Sequence, residues 1–366
     1  MSQPDPNTVR TRILIISDTH SAPLVDPEAA DASENDQRQR NKAFRAPLPS
    51  ADVLLHCGDI TMAGHMHEYE SALEMLGSID ASLKLVIAGN HDITLDEDFY
   101  LGDSGGSLTG WTNGQRMHMK NYDPDLPKQA KALWTGHAAK SKGVTFLDEG
   151  IHEFTLHNGA KLTVYASPWQ PEFCNWAFNY DHNHDRWNPP DLSAPDAVNV
   201  AVNPVPADPG GKIDIMMTHG PPRDRLDSTS SGPVGCPHLL RAVARARPRV
   251  HAWGHIHEAW GVERVEWANG DENLEKKGSA KIWDFMRKNT EADGPQFVEK
   301  AEIFNFVESN MADKRGAFVD ISKSGEAPLR VGEETLMVNA SIMDLSYSPS
   351  NAPIVVDLDL SKAKRI

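Results

Sequence analysis

An α/β fold, with strands covered on both faces, is what this sequence predicts. Three observations predict it. The runs RILIIS (12–17), VLLH (53–56) and KLVIA (84–88) are short and nearly all apolar, as strands buried on both sides are. Between the second and third, HEYESALEMLGSI (67–79) sets Tyr69, Leu73, Leu76 and Ile79 at helical spacing, an amphipathic crossover helix. A small polar cluster follows each strand, at the carboxyl ends where α/β sheets bind ligands.

The elements follow in order. Residues 26–42, DPEAADASENDQRQRNK, have almost nothing to bury and read as a mobile loop or a surface helix. IHEFTLHNGAKLTVYA (151–166) reads as a hairpin turning at Asn158-Gly159. IDIMMT (213–218) is another buried strand. CPHLLRAVARARPR (236–249) is a helix that stops before Pro248, and VHAW (250–253) is a strand. IVVDLDL (354–360) closes the pattern. Two regions stand apart: 185–211 is rich in Pro and Asp and reads as loop. Residues 268–335 are rich in charge, with one helix at KIWDFMRK (281–288), and read as an insertion of unknown role. The expectation is a single domain, with its core at about 10–267 and 336–360.

Bulk composition narrows the function. The chain has 366 residues, 39% of them hydrophobic, and a mean hydropathy of -0.48. No apolar run is long enough to span a bilayer, so no membrane partner is expected. MSQPDPNTVRTR lacks the apolar centre of a signal peptide. Cys57, Cys174 and Cys236 are odd in number and widely spaced, neither a disulfide framework nor a CxxC zinc site. These features point to the cytoplasm. A formal charge of -16 argues against a nucleic-acid polymer as partner, because that grip requires neutralising phosphates. The oligomeric state is not legible.

The polar clusters carry the chemistry. After RILIIS come Asp18 and His20. After VLLH comes Asp59, in GDIT. After KLVIA come Asn90, His91 and Asp92, in GNHD. After IDIMMT comes His219, in HGPP. After VHAW come His255 and His257, in GHIH. Residues two apart at a strand end point to one side. Asp18 and His20 therefore approach one ion together. His255 and His257 do the same, or divide between two adjacent ions. Carboxylate, imidazole and amide oxygen suit zinc, manganese or iron better than calcium. A carboxylate with two oxygens can bridge two cations, the arrangement used for in-line displacement at phosphorus. Gly58, Gly89 and Gly254 precede ligand candidates and allow close backbone approach. Each motif alone is weak; five in order, each after an apolar run, are specific.

SDTH, GD, GNHD, THG and GHIH resemble the motif set of the calcineurin-like metallophosphoesterase superfamily. SPWQPEFCNWAFN (167–179), GHIHEAWG (254–261) and VNASIMD (338–344) are similar to its metallophosphoesterase-domain-containing members, of the class III cyclic-nucleotide phosphodiesterase group. The resemblance leaves out the N-terminal tail, 26–47 and 268–335, and much of 96–140 and 181–211. It implies a four-layer α/β/β/α sandwich of two mixed sheets. It implies two divalent metal ions (Mn²⁺, or Fe or Zn). By similarity, Asp18, His20 and His257 hold the first, Asn90, His219 and His255 the second, and Asp59 bridges both. His91 would sit near the leaving-group oxygen. The implied activity is hydrolysis of small phosphodiesters of the cyclic-nucleotide type by a metal-bridged hydroxide. Phosphomonoester or phosphoprotein hydrolysis, and nucleotide binding with weak catalysis, are the alternatives. Two departures are visible: GDITMAGHMH offers no evident partner to orient His91, and GNHD has Asp where many relatives have Glu.

Other residues divide between function and packing. Trp169 and Asn175, in SPWQPEFCNW, are the expected substrate contacts beside Asn90 and His91, with an aromatic wall for stacking a base. For Trp169, Phe173, Trp176 and Phe178 taken one at a time, core filling is the better reading, with at least one expected to line the pocket. His65 and His67 read as helix-start residues, and His182 and His184 as loop residues. Arg223 and Arg225 reach either a phosphate or a neighbouring Asp. Cys57 reads as a buried, inert thiol.

Overall fold

Alternation inside the apolar runs decides which layer each side chain enters. In RILIIS, Ile13 and Ile15 join one buried cluster, while Leu14 and Ile16 join another. Both sets are fully buried, so the strand is covered on both faces. Each such side chain, fully removed from water, contributes roughly 1.5–3 kcal/mol. The computed structural model describes residues 5–29, 32–102, 123–206, 213–268 and 297–363.

Two mixed sheets share the central cluster. Strands β1 (Thr8–Ile16), β2 (Ala51–Cys57), β3 (Ala81–Ile87) and β4 (Val144–Phe146) run parallel in sequence order. In the second sheet, β5 (Gly150–Thr155) and β6 (Lys161–Ser167) form the expected hairpin, with Gly159 in the left-handed region at φ 85. Parallel strands β7 (Ile215–Thr218) and β8 (Val250–Trp253) follow. β9 (Gly261–Trp267), β10 (Val298–Ile303), β11 (Ala317–Asp320), β12 (Glu334–Asn339) and β13 (Ile354–Ser361) complete the set. The first sheet has the order β11-β13-β1-β2-β3-β4, and the second β10-β9-β12-β8-β7-β6-β5. Ile13, Leu55 and Leu85 of the first sheet meet Val164, Met217 and Val338 of the second in one cluster.

Helices cover the outer faces. α1 (Met66–Ser78) lays Tyr69, Leu73 and Leu76 on Leu14, Leu54 and Val86, joined by Trp134 of α2 (Leu126–Thr135). The Glu68 carboxylate fixes the start of α1 by accepting from the N–H groups of Met62, Ala63 and His65. His65 and His67 stack on each other there, as helix-start residues. α3 (Pro237–Ala246) lays Leu239, Ala242 and Val243 on Met216, Trp253 and Met337. Helix, sheet, sheet and helix make the four-layer architecture implied by the resemblance. Among the described residues no helix is long and apolar enough to cross a membrane.

Three segments differ from or extend the sequence reading. Residues 26–42 hold a short helical turn at Glu34–Gln37 and a 3-10 turn at Arg38–Asn41. The described part of 268–335 lends an edge strand to each sheet: β10 pairs with β9, and β11 with β13. VEKAEI is almost wholly exposed, and AFVD is short, so neither shows an apolar run. The expected helix at 281–288 lies outside the described residues. Within 185–206, loop-like in sequence, Trp187 is fully buried and donates to Tyr180 Oη at 2.8 Å. Asp185 organises that loop by accepting from the backbone of Trp187 and Asn188 and from the side chains of Asn188 and Ser193.

Candidate metal centre

Every cluster expected at a strand end follows the carboxyl end of an interior strand of one sheet or the other. An isolated bridge from Ser17 to Ser341 ties the sheets together. The chain must turn sharply as each strand ends. Asp18 (φ 52), His20 (φ 43), Asp59 (φ 52) and His255 (φ 66) all sit in the left-handed region. Non-glycine residues there cost about 1–3 kcal/mol each, and persist where the surroundings fix them. The approach is close as well. A Cβ on Gly254 would lie 1.8 Å from Asp18 Oδ2, so this position admits only glycine.

Two groups of side chains converge. Asp18, His20 and His257 bring ligand atoms within 4.8 Å of one another, and so do Asp59, His219 and His255. Asp59 faces both. Its Oδ2 lies 3.8 Å from His20 Nε2, and its Oδ1 lies 3.3 Å from His219 Nε2. Asn90 joins the second group, with Oδ1 2.8 Å from His219 Nε2.

Backbone carbonyls fix the tautomers. Nδ1–H of His20 donates to Thr61 at 2.9 Å, that of His219 to Cys57 at 2.9 Å, and that of His257 to Asp344 at 3.2 Å. Each neutral ring is then left with a lone pair on Nε2. His257 Nε2 lies 3.4 Å from both His20 Nε2 and Asp18 Oδ1, and with His257 neutral it faces them as acceptor to acceptor. His219 Nε2 faces the Asn90 carbonyl oxygen in the same way. Such pairs are repulsive unless a cation sits between them, so the donor set fits two divalent metal ions.

The two groups differ in charge. Burial favours a neutral Asp18, yet the hydrogen bond to and charge of His257, with His219 and His20, hold its carboxyl well below the usual range. Burial also opposes charge on His257, but its bond to Asp18 and the field of Asp59 lift it to about 9. His255 goes the other way. Burial, then the neighbouring His219, pushes it down to about 3. Asp18 also accepts the His255 N–H, at 2.9 and 3.0 Å, and the Ser341 hydroxyl at 3.1 Å.

His91 finds the partner that its sequence neighbours did not reveal. Nδ1–H donates to the Met62 carbonyl at 2.8 Å, and the ring stacks on Trp176 with centroids 4.1 Å apart. Its N–H donates to Asp59 Oδ1 at 2.8 Å. The Asp of GNHD is a brace. The Asp92 carboxylate accepts from the backbone N–H of Ile60, Thr61 and Gly89 and from the Thr61 hydroxyl, locking the GDIT turn to the GNHD turn. Burial and the Asp59 charge raise it to about 7.

Of the four aromatics of SPWQPEFCNWAFN (167–179), Trp176 and Phe173 touch the histidines, and Trp169 and Phe178 pack together elsewhere. Trp169 lies under the Arg186 guanidinium, 4.0 Å from its ring, and packs edge-on against Phe178. The aromatics that touch the histidines are Trp176, Phe173 on His255 and Tyr347, which contacts His20, His257 and His91. Asn175 holds a left-handed turn before Trp176, its N–H donating to Glu172. Tyr347 lies in the serine-rich turn LSYSPS (345–350), which shows no strand or motif signal. That turn is organised by Asp344, which accepts from Ser346 and Ser350, and whose carbonyl holds His257. Arg225 pairs with Glu263 at 2.8 Å, and Arg223 lies 3.7 Å from Asp224, the local alternative to a phosphate. Cys57 is buried, and burial pushes its thiol well up, as an inert core group requires.

Comparison with known proteins adds independent findings. Residues 11–259 match the family model of the calcineurin-like phosphoesterases. Metallophosphoesterase domain-containing protein 1 of Homo sapiens is 31% identical over 258 residues, spanning 69% of this chain and 62% of that protein. The Mus musculus protein of that name gives the same figures. UPF0046 protein T07D4.2 of Caenorhabditis elegans is 29% identical over 252 residues, 65% of this chain and 55% of that protein. The matched region is thus about three fifths of the length of these relatives.

Proposed function

Because this chain belongs to the calcineurin-like phosphoesterase family, we propose that it is a dinuclear metal-dependent phosphoesterase, a phosphodiesterase for small cyclic-nucleotide-type substrates. The observation that carries this reading is the pair of ligand groups turned toward one carboxylate, Asp59, with one oxygen facing each. Two divalent ions, manganese or else iron or zinc, supply positive charge for the phosphoryl oxygens and acidify water when bound. Asp18, His20 and His257 would hold the first, Asn90, His219 and His255 the second, and Asp59 both.

The chain's own residues do the rest. Carbonyls of Thr61, Cys57 and Asp344 keep three imidazoles in the tautomer that presents Nε2. His91, gripped at Nδ1 by Met62 and pressed on Trp176, has Nε2 left to hold or give a proton at the leaving oxygen. Asn90 and Asn175 are the polar contacts proposed for substrate, with Trp176 beside them in place of Trp169. Three free cysteines suit a cytoplasmic setting. The test is hydrolysis of bis-p-nitrophenyl phosphate and of 2′,3′- and 3′,5′-cyclic nucleotides by purified protein supplied with Mn²⁺. Turnover by wild type and its loss in Asp59→Asn are expected. No turnover of any phosphoester by the metal-supplied wild type would overturn the reading.

A further inference from the structure

A cavity of about 400 Å³ opens beside the first ligand group. His20 and Tyr347 stand at its boundary with the histidine cluster, their rings 5.0 Å apart. Val25, Phe44, Met62 and Met343 form most of an apolar wall. Met62 is the same residue whose carbonyl holds His91, so one short stretch serves both cavity and cluster. Among the described residues, the side chains that line it include one carboxylate, Asp36, and no lysine or arginine. Asp36 is fixed by the N–H and hydroxyl of Ser33, at 2.9 and 2.7 Å. Much of the wall comes from Ala22, Pro23, Val25, Asp36, Gln39 and Phe44, outside the motif-bearing segments.

Building on the phosphoesterase reading above, we propose that this cavity receives one ester group of the substrate and selects phosphodiesters whose group is bulky, largely apolar and not anionic. The physical grounds are size, polarity and charge. The volume falls within the range that encloses small-molecule groups. An apolar wall favours an aryl or similarly sized group over a methyl by the water it removes. Asp36 repels a second negative charge and favours a positive one. Tyr347, half-exposed between cavity and histidines, supplies a ring face at the junction.

The test is a set of p-nitrophenyl phosphodiesters whose second ester group is methyl, phenyl, 4-(aminomethyl)phenyl or 4-carboxyphenyl, assayed with Mn²⁺. Wild type should prefer phenyl over methyl by at least about ten-fold in kcat/KM, the worth of one or two buried methylenes. It should favour aminomethylphenyl over carboxyphenyl. Ala22→Trp, at a wall position that is not itself a proposed ligand, should erase the phenyl preference and spare the methyl substrate. Asp36→Lys should reverse the charge preference. Equal kcat/KM for all four substrates in wild type, or an equal loss on methyl and phenyl in Ala22→Trp, would overturn the proposal. Calorimetric binding of diphenyl phosphate against dimethyl phosphate separates this from failure of the phosphoesterase reading. If wild type turns over nothing, diphenyl phosphate should still bind more tightly, and Ala22→Trp should remove the difference. Equal binding would overturn the cavity assignment by itself.

Discussion

The two halves of the metal centre are built to one plan and charged differently. Each offers histidine nitrogens and a share of Asp59. The first half has a carboxylate of its own, Asp18, held well below the usual range. The second has Asn90, His219 and His255, all neutral donors, with His255 driven down to about 3. Two carboxylates against one predict that the first half holds a cation more tightly. The second half depends on the carboxylate the two share.

Several changes break or sharpen that contrast. The largest effect is expected at Asp59, where the halves meet. Asp59→Asn should lower kcat/KM on bis-p-nitrophenyl phosphate roughly 1,000-fold, the scale of losing a main electrostatic stabiliser. Near-normal kinetics would mean that the carboxylate does not join them. Next come the half-specific changes. Asp18→Asn should weaken the tighter ion, and His255→Gly only the weaker one. Metal titrations followed by calorimetry distinguish these, and identical isotherms for the two variants would remove the contrast. Asp92→Asn acts on the brace beneath both halves. It places an amide N–H₂ among four donors, and metal affinity should fall about 10–100-fold, as for other outer supports of a metal site.

The smallest effect lies away from the centre and serves as a control. Asp357 is held below the usual carboxyl range: burial would raise it, but bonds from Arg12 and Arg10 prevail. A carboxyl depressed on folding stabilises above its unfolded pKa, and that stability fades as pH falls through the folded value. Asp357→Asn should therefore cost about 1 kcal/mol near neutral pH, because both arginines are half in water, and less in acid. Denaturant melts at the two pH values check it. Metal binding should not change.

Sequence legibility follows the same physics. Strands covered on both faces announce themselves as apolar runs, so β1, β2, β3, β8 and β13 were readable within a few residues. β10 was not, because its edge position leaves VEKAEI in solvent. Ligand candidates were readable because strand ends bring them together, and the structure gathers Asp18, His20, Asp59, Asn90, His219, His255 and His257 as expected. Their supports were not. Thr61, Met62, Cys57 and Asp344 act through backbone carbonyls, which any residue carries. The choice of Trp176 and Tyr347 over Trp169 at the histidines depends on loop conformation, with Tyr347 at φ 56. Spacing alone does not encode that.

Metal content is the most direct test of two unequal halves sharing one carboxylate. Elemental analysis and calorimetric titration with Mn²⁺ should give wild type two ions of different affinity, and His255→Gly one ion, retained at the tighter value. Two ions retained by His255→Gly with full phosphodiesterase activity at limiting metal, or a single ion in wild type, would contradict it.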